Sequence, residues 1–173
     1  MSKTKFWHSV ASGIISWSVF AATALLLAQG EATILKPADM AKILPATVFY
    51  RGQSATTQVR NSGGVKFSDG YLVLAALVDT SGYSTGVAAK YQAYFITEVP
   101  IRIGDQPLAP GAYGVGFIDD DKFVVTDVGA HDVFTVSSKN DADLKRPMPL
   151  QVLTDSVRGF RLYVGRRYVM FER

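Results

Sequence analysis

Three consecutive aspartates, Asp119, Asp120 and Asp121, stand directly behind the glycine-spaced stretch GAYGVGF at 111–117. Clustered carboxylates are what a hard divalent cation needs, but a calcium loop alternates its ligands, places glycine at the sixth position and ends on a distal glutamate. Here the aspartates are contiguous, apolar residues fill the later ligand positions, and no glycine follows until Gly129. The tripeptide reads first as the polar tip of a hairpin, with Lys122 offsetting part of the repulsion, and second as an exposed cation site.

Acid–base chemistry has one centre to use. The chain has two histidines and no cysteine, and His8 falls in the N-terminal segment, which leaves His131. A zinc centre of several His or Cys ligands and a cysteine nucleophile are therefore excluded within one such chain. His131 oriented by Asp132, or by Asp127, is the base that remains. Neighbours on a strand point to opposite faces, so His131 and Asp132 pair only in a turn, and GAHD at 129–132 reads as a hairpin turn.

Gly111, Gly114 and Gly116 raise a phosphate loop only to dismiss it, because strand and turn residues follow where a helix should begin. On a strand, Tyr113, Val115 and Phe117 share one face and Gly114 and Gly116 the other. That bare row receives either a neighbouring aromatic or a ligand. Binding candidates are Arg51, Gln53, Gln58, Arg60 and Asn61 in the first hairpin, with Asp79, Ser81 and Tyr83 after the central strand, and Tyr113. Folding over of the sheet would turn some of them into a pocket. Arg158, Arg161, Arg166, Arg167 and Arg173 are expected on an outer face or rim, solvated or facing an anionic partner such as a lipid headgroup or acidic polysaccharide.

The elements that must hold these residues begin with an N-terminal segment unlike the rest. Lys3 and Lys5 precede an apolar run at 10–28, then small residues, the order of a secretory signal. Cleavage fits after Gly30 or after Ala32, so residues 1–32 read as a signal peptide and 33–173 as a single domain. The run is also close to the roughly 20 residues that span a bilayer, which makes an uncleaved anchor the alternative. Removing 1–32 takes away two lysines and one glutamate and lowers the net charge from +3 to +2, a balance that calls for no nucleic acid.

After a short helix in KPADMAKILP, started by Pro37 and stopped by Pro45, the pattern turns to period two. ATVFYRG, ATTQVR, GVKF and YLVLAALVDT are separated by GQS, NSGG and SDG, read as turns. Leu72 to Val78 is apolar on both faces and should be a central strand. One helical turn and a strand are expected across 87–103, with Pro100 at an edge or bulge. Strands follow at 112–118, 122–128 and 132–137, then a polar loop, then a last strand pair and a hairpin around Gly165 and Arg166. The expectation is an all-β, antiparallel β-sandwich or partly closed β-barrel of about ten strands. A membrane barrel fits less well, since most strands are shorter than about ten residues.

The runs LPATVFYRGQSATTQVRNSGGVKF, LVDTSGYSTG and GAYGVGFIDDDKFVVTDVGAHDVF resemble exported, functionally uncharacterised all-β proteins of soil bacteria, of the acidobacterial type. More loosely, IRIGDQPLAPGAYGVGF is similar to an L-x-x-G-x-Y hairpin of bacterial envelope β-sandwich domains. That likeness implies core positions for Leu108 and Tyr113 and a turn at Gly111. The resulting expectation is a periplasmic or secreted domain, or one anchored in the inner membrane by 10–28. It binds a small or polymeric ligand or another envelope protein, uses no cofactor, and meets membrane only through an uncleaved N-terminal segment. The alternative is a hydrolase or isomerase in which His131 works with carboxylates such as Asp79, Asp127 or Asp132.

Overall fold

The computed structural model describes residues 32–173, so the expected signal or anchor lies outside the described residues. Among those described, no helix is long and apolar enough to cross a membrane. The chain forms β1 (Thr33–Leu35), α1 (Pro37–Met40), β2 (Thr47–Tyr50), β3 (Gln53–Lys66), β4 (Leu72–Val78), α2 (Thr85–Lys90), β5 (Ala93–Thr97), β6 (Ile101–Ile103), β7 (Gln106–Leu108), β8 (Gly111–Ile118), β9 (Lys122–Thr126), β10 (Asp132–Ser137), β11 (Lys139–Asn140), β12 (Met148–Thr154), β13 (Phe160–Gly165) and β14 (Arg167–Glu172).

Two antiparallel sheets result. The larger runs β1-β3-β4-β5-β8-β9-β10 with β2 also on β3, and the smaller runs β12-β13-β14-β6-β7 with β11 also on β14. Neither closes into a barrel, and β10 is left as an edge. Alternate residues of both sheets meet in the main core: Val73, Ala75, Phe95, Val115, Phe117 and Val125 from one side, Ile103, Leu150, Leu162, Val169 and Phe171 from the other. This is the sandwich arrangement, with side chains of the two inner faces interdigitating.

The central strand is doubly covered, as its unbroken apolar run requires. While Val73 and Ala75 face the sandwich, Leu74 and Ala76 pack under Met40 and Leu44 of the α1 region, and Val78 joins Val48, Tyr50, Val87 and Tyr91. The larger sheet thus carries a third layer, made of α1, α2 and the β2–β3 hairpin. That layer builds the candidate site.

Among the described residues fourteen strands replace the expected ten or so. The short β1, β6, β7 and β11 carry too few residues for a period to show. NSGG is also no turn: β3 runs straight through it, with a register shift against β4 between Thr57 and Ser62. Its glycines are there for close approach. A Cβ on Gly63 would fall 3.2 Å from the Val152 backbone nitrogen of the facing sheet, and one on Gly64 would strike the Val73 carbonyl. The hairpin tip expected at Asp119 to Asp121 is found, connecting β8 and β9, with Asp120 and Asp121 at φ 58° and 51°. Aspartate tolerates that left-handed region better than most residues. Among the described residues no group of three or more His, Cys, Asp or Glu is placed to hold a metal ion. Strand β9 ends at Thr126 rather than 128, and Pro100 sits where the chain crosses between sheets.

The C-terminal arginines, of which Arg158, Arg166 and Arg173 are exposed, also have partners within the fold. Arg158 pairs with Glu172, Arg173 with Asp69, and the Arg166 guanidinium donates to the carbonyls of Asp141, Ala142 and Leu144. Arg167 donates to the Ile118 carbonyl while lying over the Phe117 ring, tying the smaller sheet to the β8–β9 hairpin. Arg161 binds Asp155 at 2.5 Å and lies over the Tyr168 ring. Arg166, Arg167 and Arg173 join elements distant in sequence, which the linear charge pattern does not encode.

Two predictions follow from these contacts. A Cβ on Gly116 would strike the Lys90 carbonyl, so Gly116→Ala should lose about 1–3 kcal/mol in denaturant unfolding, whereas Gly86→Ala, with open space around it, should be neutral or slightly stabilising. Asp155 accepts the Val157 and Arg158 amides and the Arg161 guanidinium, and those amides first hold its carboxyl below the ordinary 3.8. A depressed folded pKa contributes stability above the unfolded value and loses it as pH falls through the folded one. Melts of wild type and Asp155→Asn should therefore differ most near neutrality and converge as the pH is taken below 3.8.

Candidate functional site

The β2–β3 hairpin turns on Arg51 and Gly52, both with positive φ, at 48° and 78°. Two left-handed residues in a two-residue loop define the turn whose twist suits an antiparallel pair, and its usual occupants are Asn-Gly or Gly-Gly. Arginine in the first position is held by neighbours. Its amide donates to the Val128 carbonyl at 2.7 Å, and the Tyr83 hydroxyl donates to the Tyr50 carbonyl at 3.0 Å.

The hairpin is anchored by Tyr50, whose ring lies across the bare face of β8. A Cβ on Gly114 would come within 2.5 Å of that ring. The Thr126 hydroxyl donates to the Gly114 carbonyl at 3.0 Å, leaving the Tyr50 hydroxyl to donate to Thr126 at 2.7 Å. On its other face Tyr50 stacks on Tyr91, ring centroids 3.7 Å apart, and Tyr83 meets both rings edge-on. Gly116 receives the last carbonyl of α2, and the Gln92 side chain beside it extends the sheet by exchanging hydrogen bonds with the Phe117 backbone at 2.9 and 3.0 Å. The glycine row is therefore a seat for an aromatic and a helix end.

On the far side of this seat the β9–β10 turn is organised by Asp127. Its carboxylate accepts from the Gly129 amide at 2.8 Å and the His131 amide at 2.9 Å, and its other oxygen lies 3.0 Å from His131 Nδ1. The His131 amide and ring, with the Gly129 amide, hold the Asp127 carboxyl below the usual carboxylate range. Ala130, at φ 69°, completes the turn. His131 and Asp132 do not pair. Asp132 instead binds Lys90 of α2, its oxygens 2.9 and 2.6 Å from Nζ. Strand alternation separates the neighbours, and the His131 side chain is 83% exposed.

Between hairpin, helix and turn lies a cleft of about 220 Å³, lined by Tyr50, Arg51, Ser84, Gly86, Val87, Lys90, Thr126 and Ala130. Of the residues expected in a pocket, Arg51 lines this cleft and Tyr83 braces the hairpin beside it. Gln53 contributes through its carbonyl to the Tyr83 brace at 3.4 Å. Gln58 and Asn61 bond each other at 2.8 Å on the irregular part of β3, and Arg60 is exposed there. Asp79 accepts the Ser81 amide in a local turn, which lowers its carboxyl pKa. Tyr113 belongs to the opposite face, packed on the sandwich core with its hydroxyl on the Ala109 carbonyl. Leu108 is buried as expected, but Gly111 opens β8 rather than forming a turn.

Tyr50, Ser84, Gly86, Val87, Lys90, Thr126 and Ala130 are the lining residues that sequence reasoning missed. Only Lys90 carried a legible signal, as a basic residue in the last turn of a helix. Comparison of the chain with protein-family models, with curated proteins and with solved structures finds no match.

The stacked tyrosines separate two energetic effects. Burial raises both phenols, so both are protonated at neutral pH, but the buried Tyr91 hydroxyl meets no partner among the described residues. Tyr50→Phe should destabilise by about 1 kcal/mol through the lost bond to Thr126, while Tyr91→Phe should be neutral or stabilising by about the same amount, as removal of an unsatisfied buried donor implies. Equilibrium unfolding of the two variants measures both signs.

Proposed function

We propose that this chain is an exported, non-enzymatic binding module that engages part of a larger molecule, an envelope polymer or another envelope protein, through the outer layer of its larger sheet. The carrying observation is the cleft beside Arg51. At about 220 Å³ it is smaller than the roughly 300–1,000 Å³ of pockets that enclose whole small molecules. It suits one protruding group of a partner whose remainder lies on the surface.

Backbone conformation supports the same place. Arg51 and Ala130, both left-handed and neither glycine, both line the cleft. Such conformations persist where the surroundings enforce them, and they cluster at binding sites. Export is supported by the N-terminal order of Lys3 and Lys5, the run 10–28 and the small residues after it.

A second reading keeps His131 as a base oriented by Asp127, which the 3.0 Å contact favours. Its ring, however, stands 83% exposed, His131 does not line the cleft, and one Asp127 oxygen is engaged by two turn amides. The orientation serves the turn.

The test is mass spectrometry of molecules recovered with the full-length chain from cells, compared between wild type, Arg51→Ala and His131→Ala. Recovery should fall about tenfold in Arg51→Ala, the loss of one charge-assisted contact, and hold in His131→Ala. Equal recovery from wild type and Arg51→Ala, or loss confined to His131→Ala, would overturn the reading.

A further inference from the structure

We infer that the cleft takes a single anionic group of carboxylate or phosphate size, and that Asp132 is its internal placeholder on Lys90. The inference rests on the binding reading above and names the chemistry that the cleft selects.

Arginine use across the molecule makes the first argument. Arg158, Arg161 and Arg173 sit in ion pairs, and Arg166 and Arg167 are spent on carbonyls. None of the ion pairs among the described residues uses Arg51. Yet Arg51 occupies a turn position that asparagine or glycine fills without strain, and no ion pair among the described residues accounts for an exposed arginine there. Its planar fork of donors, directed by a fixed hairpin, is suited to a two-oxygen anion.

Lys90 supplies the second cation on the cleft wall, and Ser84 a hydroxyl that makes no cap hydrogen bond to α2. Thr126 has spent its proton on the Gly114 carbonyl and Tyr50 its own on Thr126, so they shape the wall without donating further. The charged lining groups are Arg51 and Lys90; Asp132 lies on Lys90, and Asp127 and His131 belong to the adjoining β9–β10 turn. Asp127 is committed to its turn, whereas Asp132 puts both oxygens on Lys90. Both partners of that pair are about half exposed, the class of ion pair that contributes little stability and yields readily. A carboxylate already seated on the cleft's lysine shows which chemistry the lysine accepts. An incoming anion would take over that place while gaining Arg51.

The experiment is a titration of the full-length chain with sodium acetate and, separately, inorganic phosphate, each against sodium chloride at equal ionic strength, read by amide shifts in NMR. Saturable shifts at Arg51, Ser84, Lys90 and Ala130 are expected with at least one anion, and the better of the two identifies a carboxylate or a phosphate source. Asp132→Asn should tighten binding about tenfold by removing the competitor, Arg51→Ala should abolish saturation, and Arg51→Lys should keep part of it. Unchanged Gly129 and His131 amide shifts confirm that the Asp132→Asn turn is intact, and Lys90→Gln, which should weaken binding, is an independent variant. Shifts no different from chloride, or unchanged affinity in Asp132→Asn, would overturn the inference. If anions fail while molecules recovered from cells still depend on Arg51, the binding reading stands and only its anionic chemistry falls.

Discussion

Tyr50 resting on the bare backbone of Gly114 is the contact from which the outer layer is built. A side chain at 114 would displace the ring, and with it the stack on Tyr91, the bond to Thr126 and the brace from Tyr83. Because the larger sheet is apolar on both faces along β4, that layer is obligatory. Something must keep Leu74, Ala76 and Val78 from water, and the burial of apolar area is the dominant favourable term. The cleft is a by-product of how the cover is fastened. A hairpin pinned by one aromatic, a short helix pinned at its last carbonyl and a turn pinned by Asp127 meet at their ends, and the space between them is polar.

The charged groups divide by whether they have an internal task. Asp127, Asp155 and Asp79 accept backbone amides and close turns. The C-terminal arginines reach across to other elements and neutralise carbonyls and carboxylates that the strand ends leave open. Such contacts hold loops in one conformation more than they add stability, given how little exposed ion pairs contribute. Arg51 stands apart because its backbone is constrained while its guanidinium enters no ion pair among the described residues. Rigid backbone under a free polar head is the physical form of a prepared contact, in which ordering costs are met before a partner arrives.

Much of the fold was legible because its signals are local. Period-two runs gave the hairpins β8–β9, β9–β10 and β13–β14, the unbroken apolar run gave β4 as a covered strand, and Pro37 gave the start of α1. NSGG was misread because glycine serves two ends that composition alone does not separate: a turn, or close approach to a neighbour. The neighbours, Val152 and Val73, lie on other strands. Of the binding candidates, Arg51 reached the cleft, whereas Tyr113 was assigned by residue type and strand parity then sent it to the sandwich core. Lys90 and Asp132, 42 residues apart, meet only when β10 returns beside α2.

The sequence by itself determined the class of structure, since alternation, turn residues and a doubly apolar central strand admit little besides layered antiparallel sheets. It also determined the two faces of β8, because parity on a strand is fixed by covalent geometry. What only the tertiary structure decided is which groups share a surface. Tyr50 on Gly114, Arg51 against the turn of Val128, and Asp132 with Lys90 rather than His131 are set by strand order and by the way the hairpin folds over the sheet. Those are long-range choices made by packing, and no local spacing in the chain records them.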